Sequence, residues 1–194
     1  MKYVWTSIRM TIVTAVIAGI IYPLVMTGLA QVTFPGKANG SLVKVNGRVV
    51  GSRLIGQDFT SAKYFQPRPS AAGKGYDAMD SSFSNLGPTN KALADRVQAS
   101  VKQEMAANPE LQFDSVPIDM VTTSASGLDP DITVANARAQ VARVAAARGM
   151  SVPAVLALVA KNTTGRELGF LGEPHVNVLE LNLALDSAQG VKAP

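Results

Sequence analysis

Residues 10–36 carry no charged side chain, and as a helix the 23 residues of 10–32 rise about 34 Å, enough to cross the hydrocarbon core of a bilayer. No second apolar run of spanning length follows. The chain therefore reads as one membrane anchor followed by one soluble domain, with residues 1–9 before the span (10–32) and 37–194 after it. A cleaved secretory leader is the rival, because Gly28 and Ala30 are small residues suited to a cut after Ala30. Against it, the apolar stretch exceeds the roughly 7–15 residues of a signal core, and Pro23 interrupts it where such a core would continue. An uncleaved anchor is the better reading. The α-amino group, Lys2 and Arg9 precede the span, whereas Lys37 and Lys44 follow at greater distance. That slight bias favours a cytoplasmic N-terminus and an extracytoplasmic domain, which in a Gram-negative cell is periplasmic.

The roughly 158 residues beyond position 36 suit a single domain with a real core. The chain has no cysteine, which excludes disulfides, thiolate chemistry and zinc fingers but does not locate the domain. Removing Lys2 and Arg9 takes the formal net charge from +4 to +2, and no basic run is interleaved with aromatics. Nucleic acid is excluded as a partner on that ground, and so small a charge gives no basis for ion steering.

Thr11, Ala15 and Gly19 recur every four residues and line one face of the span, where small side chains admit a second helix. Beyond the span, LVKVNGRVV (42–50) alternates apolar and polar residues on both sides of Asn46-Gly47 and predicts a β-hairpin with a type I′ turn. Residues 56–90 are crowded with Gly, Pro, Ser and Asn and have no sustained period. They predict a long ordered loop whose aromatics, Phe59, Tyr64, Phe65 and Tyr76, pack on the domain or meet a partner. A helix capped by Thr89 or Asn90 runs to Asn108-Pro109, with Leu93, Val97, Val101 and Met105 as its buried stripe. A second helix is expected to start at Asp129, with Pro130 in its first position and Asp131 at its positive dipole end, and to stop at Gly149. Its core face is Val134, Ala137, Val141 and Val144, with Arg138, Arg143 and Arg148 projecting elsewhere. A third helix spans 151–162. The segment 176–186 fits either a strand, from its alternating leucines, or a helix, from a capping-box-like Asn177 and Glu180. In either form its leucines belong to the core, with Asn177, Glu180 and Asn182 as hydrogen-bonding groups. Short helices with at least one hairpin give an α+β domain.

Catalytic patterns are missing. His175 is the only histidine, so neither a metal cluster nor a Ser-His-Asp arrangement has support. Gly73-Lys74-Gly75 is not a P-loop, since Arg68 stands at the place of the first glycine and Gly75 replaces the hydroxyl residue. No GxSxG elbow occurs, and Asp129 and Asp131 read as helix-start residues rather than an acid/base pair. No catalytic residue and no metal ligand is assigned.

Four long motifs occur in order: YFQPRPSAAGKGYD (64–77), SNLGPTN (84–90), SGLDP (126–130) and VNVLELNLALD (176–186). With the anchor, the hairpin and GSRLIGQDF (51–59), they make the chain closely similar to the KdpC family, the small accessory subunits of Kdp-type potassium-transporting P-type ATPases. The C-terminal GVKAP has the look of a variable tail. The resemblance implies a bacterial inner-membrane complex in which one partner forms the potassium pore and another hydrolyses ATP. This chain has neither a TVGYG-like filter nor a DKTGT phosphorylation signature. The role so implied is non-pore and non-hydrolysing: stabilising the assembly, acting as a catalytic chaperone that raises the ATP affinity of the hydrolysing subunit, or shaping ion entry. No firmly bound cofactor is expected; ATP is a ligand only of the whole complex and potassium its transported ion. The candidate partner contacts are Thr11, Ala15 and Gly19 in the anchor, Tyr64, Phe65, Arg68, Asp77, Ser84 and Asn85 in the loop, and Ser126 and Asp129 in SGLDP. An anchored periplasmic enzyme and a free-standing binding module are the alternatives.

Overall fold

The computed structural model describes residues 2–190. Met1, whose amino group entered the orientation argument, and the end of the GVKAP tail lie outside the described residues. The chain divides into two units, the first ending at Leu42 and the second beginning at Val43.

The first unit is dominated by one helical run, Lys2–Thr33, apolar and long enough to cross a membrane. It begins eight residues before the charge-free stretch and consists of α1 (Lys2–Val16), a π-turn (Ile17–Ile21) and α2 (Tyr22–Thr33). The π-turn has a local cause. Pro23 lacks an N–H, and in a regular α-helix its ring would crowd the carbonyl four residues back; a wider turn just before it relieves the crowding without breaking the helix. Two exposed hydroxyls near its start bond backward along the helix, Thr6 to the Lys2 carbonyl and Ser7 to that of Tyr3. A one-turn helix α3 (Pro35–Ala38) follows.

In the second unit β1 (Leu42–Val45) and β2 (Arg48–Ser52) form the expected hairpin. Asn46 and Gly47 both take positive φ, +52° and +81°, as a type I′ turn requires. Residues 56–90 contain no helix or strand. The Asn90 side chain then accepts from the Ala92 N–H at 2.8 Å and starts α4 (Lys91–Ala107). The stripe of α4 is only half buried: Val97 and Val101 lie against a small cluster of Leu111, Met120 and Val121, the last two from α5 (Ile118–Val121).

The main core is built by β3 (Asp131–Thr133), α6 (Val134–Arg148), α7 (Val152–Lys161), β4 (Thr163–Thr164), β5 (His175–Asn177) and α8 (Val178–Ala188). The three strands form an antiparallel sheet in the order β3-β5-β4, with Ile132 opposite Val176 and Thr163 opposite Val176 on its other side. Phe65, Ile132, Val144, Val155, Val176, Leu181 and Leu185 fill the space between sheet and helices.

Two expectations are corrected. The second helix does not start at Asp129: residues 131–133 form a strand, and Thr133 caps α6 by accepting from the Asn136 N–H at 3.1 Å. The strand prevails because pairing with β5 buries Ile132, a gain that a helical first turn at 129–132 would forfeit. The segment 176–186 is neither wholly strand nor wholly helix. Its start closes β5, and Asn177 then caps α8, whose buried Val178, Leu181, Asn182 and Leu185 follow helical spacing. Glu180 does not complete a capping box, because its carboxylate is drawn to Arg53 at 2.6 Å. Arg143 and Arg148 project off the core face as expected, and there they reach the carbonyls of the loop.

Candidate functional site

The chemistry of the second unit is concentrated where the loop crosses α6 and α8. An apolar helix face normally has no reason to carry Asn136 and Gln140 one turn apart, or Asn182 between leucines. Two of these amides, Asn182 and Gln140, replace a strand partner for the loop backbone, and Asn136 supports the second. Asn182 accepts from the Phe65 N–H at 2.8 Å and donates to its carbonyl at 2.9 Å. Gln140 does the same for Gln66, at 2.7 and 3.0 Å, and donates to Asn136, which in turn donates to Asp119. An unpaired buried backbone group costs about 1–3 kcal/mol, so two such pairs account for why this stretch of loop holds one conformation.

Two arginines extend the clamp. Arg143 donates to the carbonyls of Ala62 and Tyr64 and to the side chains of Asn108 and Gln140. Burial lowers its affinity for a proton, opposed by the charge of Glu104, while burial raises the Glu104 carboxyl above its usual range. Arg148 donates to the Lys63 carbonyl and to Asp186 at 2.8 Å, with side-chain exposures of 3% and 7% for the ion pair. Its guanidinium lies 4.7 Å from the centre of the Tyr64 ring, and the Tyr64 hydroxyl donates to the other Asp186 oxygen at 3.1 Å. Burial first, and then Asp186, push the Tyr64 phenol up.

The SGLDP segment holds the next part of the loop. Arg68 pairs with Asp129 at 2.9 Å and donates to the carbonyls of Thr122 and Thr123. Asp129 also accepts from the Asp131 N–H at 3.1 Å. The Tyr76 hydroxyl donates to the Arg68 carbonyl, and burial followed by Asp58 raises its phenol far above the normal value. Ser70 donates to the Gly127 carbonyl at 2.7 Å, Ser81 to that of Ser126 at 2.9 Å. Gly127 has φ +69°, and a Cβ there would lie 2.7 Å from the Ala72 nitrogen, so no other residue fits.

The residues singled out from the sequence thus separate into groups. Tyr64, Phe65, Arg68 and Asp129 come together in the clamp, Phe65 with 0% exposure. Asp77, Asn85 and Ser126 are exposed and Ser84 is half buried; the side chains of Asp77 and Asn85 bond only within their own turns, to Met79 and Phe83. Thr11, Ala15 and Gly19 belong to the other unit and are all exposed, Gly19 inside the π-turn. Asn136, Gln140, Arg143, Arg148 and Asp119 were not recognisable as clamp residues. The available signal was a polar pair, Asn136 and Gln140, on a helix face otherwise apolar.

Beside the clamp lies an open polar cleft of about 400 Å³ bordered by Asp58, Arg68, Tyr76, Ser100, Gln103 and Glu104. Among the described residues no three His, Cys, Asp or Glu side chains gather as metal ligands. The arrangement does not pair a nucleophile with a base; what it does is hold a loop.

Comparison with known proteins agrees along nearly the whole chain. The family model described as KdpC, the K+-transporting ATPase c chain, matches residues 4–187. A protein of Koribacter versatilis named as a potassium-transporting ATPase KdpC subunit is 57% identical over 100% of this chain and 98% of its own length. Proteins of the same name from Acidobacterium capsulatum and Myxococcus xanthus are 54% and 56% identical, over 96% and 95% of this chain and 98% and 88% of their own lengths. A match of that extent, covering anchor, clamp and core together, places the chain in the KdpC family.

Proposed function

We propose that the chain is the accessory subunit of a potassium-transporting ATPase complex, neither forming the pore nor hydrolysing ATP. The carrying observation is full-length similarity to relatives that bear that subunit's name. In this reading the Lys2–Thr33 helix spans the bacterial inner membrane and offers Thr11, Ala15 and Gly19 to a helix of the pore-forming partner. The domain lies on the periplasmic side, as the position of Lys2 and Arg9 favours, and covers the outer entrance of the pore. Tyr64, Phe65, Arg68 and Asp129 give the loop its shape, and Asp77, Ser84 and Asn85 of the loop, with Ser126 of SGLDP, are the groups offered to partners.

ATP is cytoplasmic, so a periplasmic domain acts on ATP affinity only through the conformational state of the pump. The catalytic-chaperone effect is then allosteric: binding that favours the nucleotide-ready state raises apparent affinity by the ratio of its affinities for the two states. Deleting this chain from the complex is expected to abolish potassium-stimulated ATPase activity and to loosen co-purification of the two large membrane partners. Undiminished activity without it contradicts the proposal. Sidedness is tested separately with Met79→Cys, a 97% exposed position in a cysteine-free chain. An impermeant thiol reagent is expected to label it once the outer membrane alone is opened. Labelling only after the inner membrane is opened would reverse the topology and make direct nucleotide assistance the better account.

A further inference from the structure

Helix α7, VPAVLALVAK, has no polar residue before Lys161, a composition normally covered on every side. In this domain only one side is covered. Val155 and Val159 enter the core, while Val152, Leu156, Ala157 and Ala160 stay exposed. Between α6 and α7 lies an apolar groove of about 690 Å³, bordered by Val134, Arg138, Leu156, Ala157, Ala160 and Thr163. Two residues past Thr163 the chain leaves the sheet as a tight hairpin. Glu167 and Leu171 exchange two backbone hydrogen bonds of 2.9 Å, and Arg166 bridges to Glu173 at 2.7 Å. This braced tip presents Leu168 at 81% exposure and Phe170 at 69%, with Leu171 beside them. Apolar side chains already fixed in place lose little entropy on binding.

Charge indicates what covers this surface. Residues 132–166 contain no carboxylate, and of their five basic residues Arg143 and Arg148 are consumed by the loop and Arg166 by Glu173. Arg138 and Lys161 remain exposed, the first at the groove itself. A bilayer surface is nearly flat on this scale and does not fill a concave groove; a protruding protein segment does. We propose that the α6–α7 groove and the hairpin tip form one docking surface for a protein partner in the complex, whose apolar side chains enter the groove and whose carboxylates meet Arg138 and Lys161. The proposal rests on the subunit reading above and assigns a surface to it beyond the loop.

The test uses the full chain in nanodiscs, with single cysteines from Ala157→Cys and Leu168→Cys each labelled with a polarity-sensitive dye. Emission is expected to shift to the blue when the chain is assembled with its partner subunits and to stay unshifted in the chain alone, with or without phosphatidylglycerol in the disc. A blue shift in phosphatidylglycerol discs without partners assigns the surface to lipid and overturns the proposal. Unshifted emission in an assembled complex overturns it equally. Should the dye at 157 itself block assembly while unlabelled A157C assembles, the groove is occupied in the complex, as proposed. Arg138→Glu is expected to weaken partner capture by about tenfold, the scale of one close charge pair. Phe113→Asp, at an exposed apolar position elsewhere, should leave capture unchanged. Co-elution scored on the same samples separates the two readings, since a failed subunit assignment gives no co-elution even for the unaltered chain.

Discussion

The two halves of the 56–90 loop share a composition but not a fate. Residues 62–72 are held by side chains from distant elements: Arg143 and Arg148 on Ala62, Lys63 and Tyr64, Asn182 on Phe65, Gln140 on Gln66. Residues 74–90 are mostly exposed and more sparsely tied: Tyr76 bonds back to Arg68 and Ser81 to the Ser126 carbonyl, while Met79 to Asp77 and Asn85 to Phe83 close local turns. Gly, Pro and Ser content therefore does not decide order here. What decides it is whether α6 and α8 turn amide and guanidinium groups toward the passing backbone.

The comparison is tested hardest by its buried charge. Arg148→Met leaves Asp186 unpaired in the interior and is expected to cost about 3–5 kcal/mol, read from hydrogen exchange of α6 and α8 in the full chain. Next comes Asn182→Leu, which strips the Phe65 N–H and carbonyl of their partner at about 1–3 kcal/mol for each group. Gly127→Ala, forced to φ +69° against the Ala72 backbone, should cost about 1–3 kcal/mol, and its exchange changes should centre on residues 70–76. In the outer half, Met79→Ser and Asn85→Gly should stay within about 0.5 kcal/mol of the parent. If either matched Asn182→Leu in cost, the contrast between the halves would be lost.

The smallest effect concerns pH. Burial raises the Glu104 carboxyl, with Arg143 and Asn108 pulling it down. The folded chain thus holds that proton to higher pH than the unfolded chain, so this group's contribution falls as pH rises from the ordinary carboxylate range through the raised value. Glu104→Gln should gain stability relative to the parent at neutral pH, an advantage that vanishes below about pH 4. A pH-independent difference would assign the effect to hydrogen bonding instead.

The α+β class, the long apolar helix, the hairpin at Asn46-Gly47 and the helix start at Thr89 or Asn90 were legible because each rests on neighbouring residues. The start of α6 was not, because Asp129-Pro130 is a plausible helix start locally and the contest was settled by β5, more than 40 residues away. The clamp was only partly legible. Asn182 stands out between leucines, but nothing in the sequence tells which backbone it serves, and an arginine at the helix surface looks solvated until the loop is laid across it. The exposed face of α7 went unnoticed for the opposite reason, since an apolar helix reads as core from composition alone.

The central proposal is that one half of the loop is bound by its own domain and that the other meets a partner. Hydrogen exchange of the full chain, alone in nanodiscs and assembled with its partner subunits, tests it directly. The account predicts that 62–72 is protected in both samples and that 74–90 exchanges rapidly alone and slows on assembly. Rapid exchange of 62–72 in the lone chain, or no change in 74–90 on assembly, would contradict it.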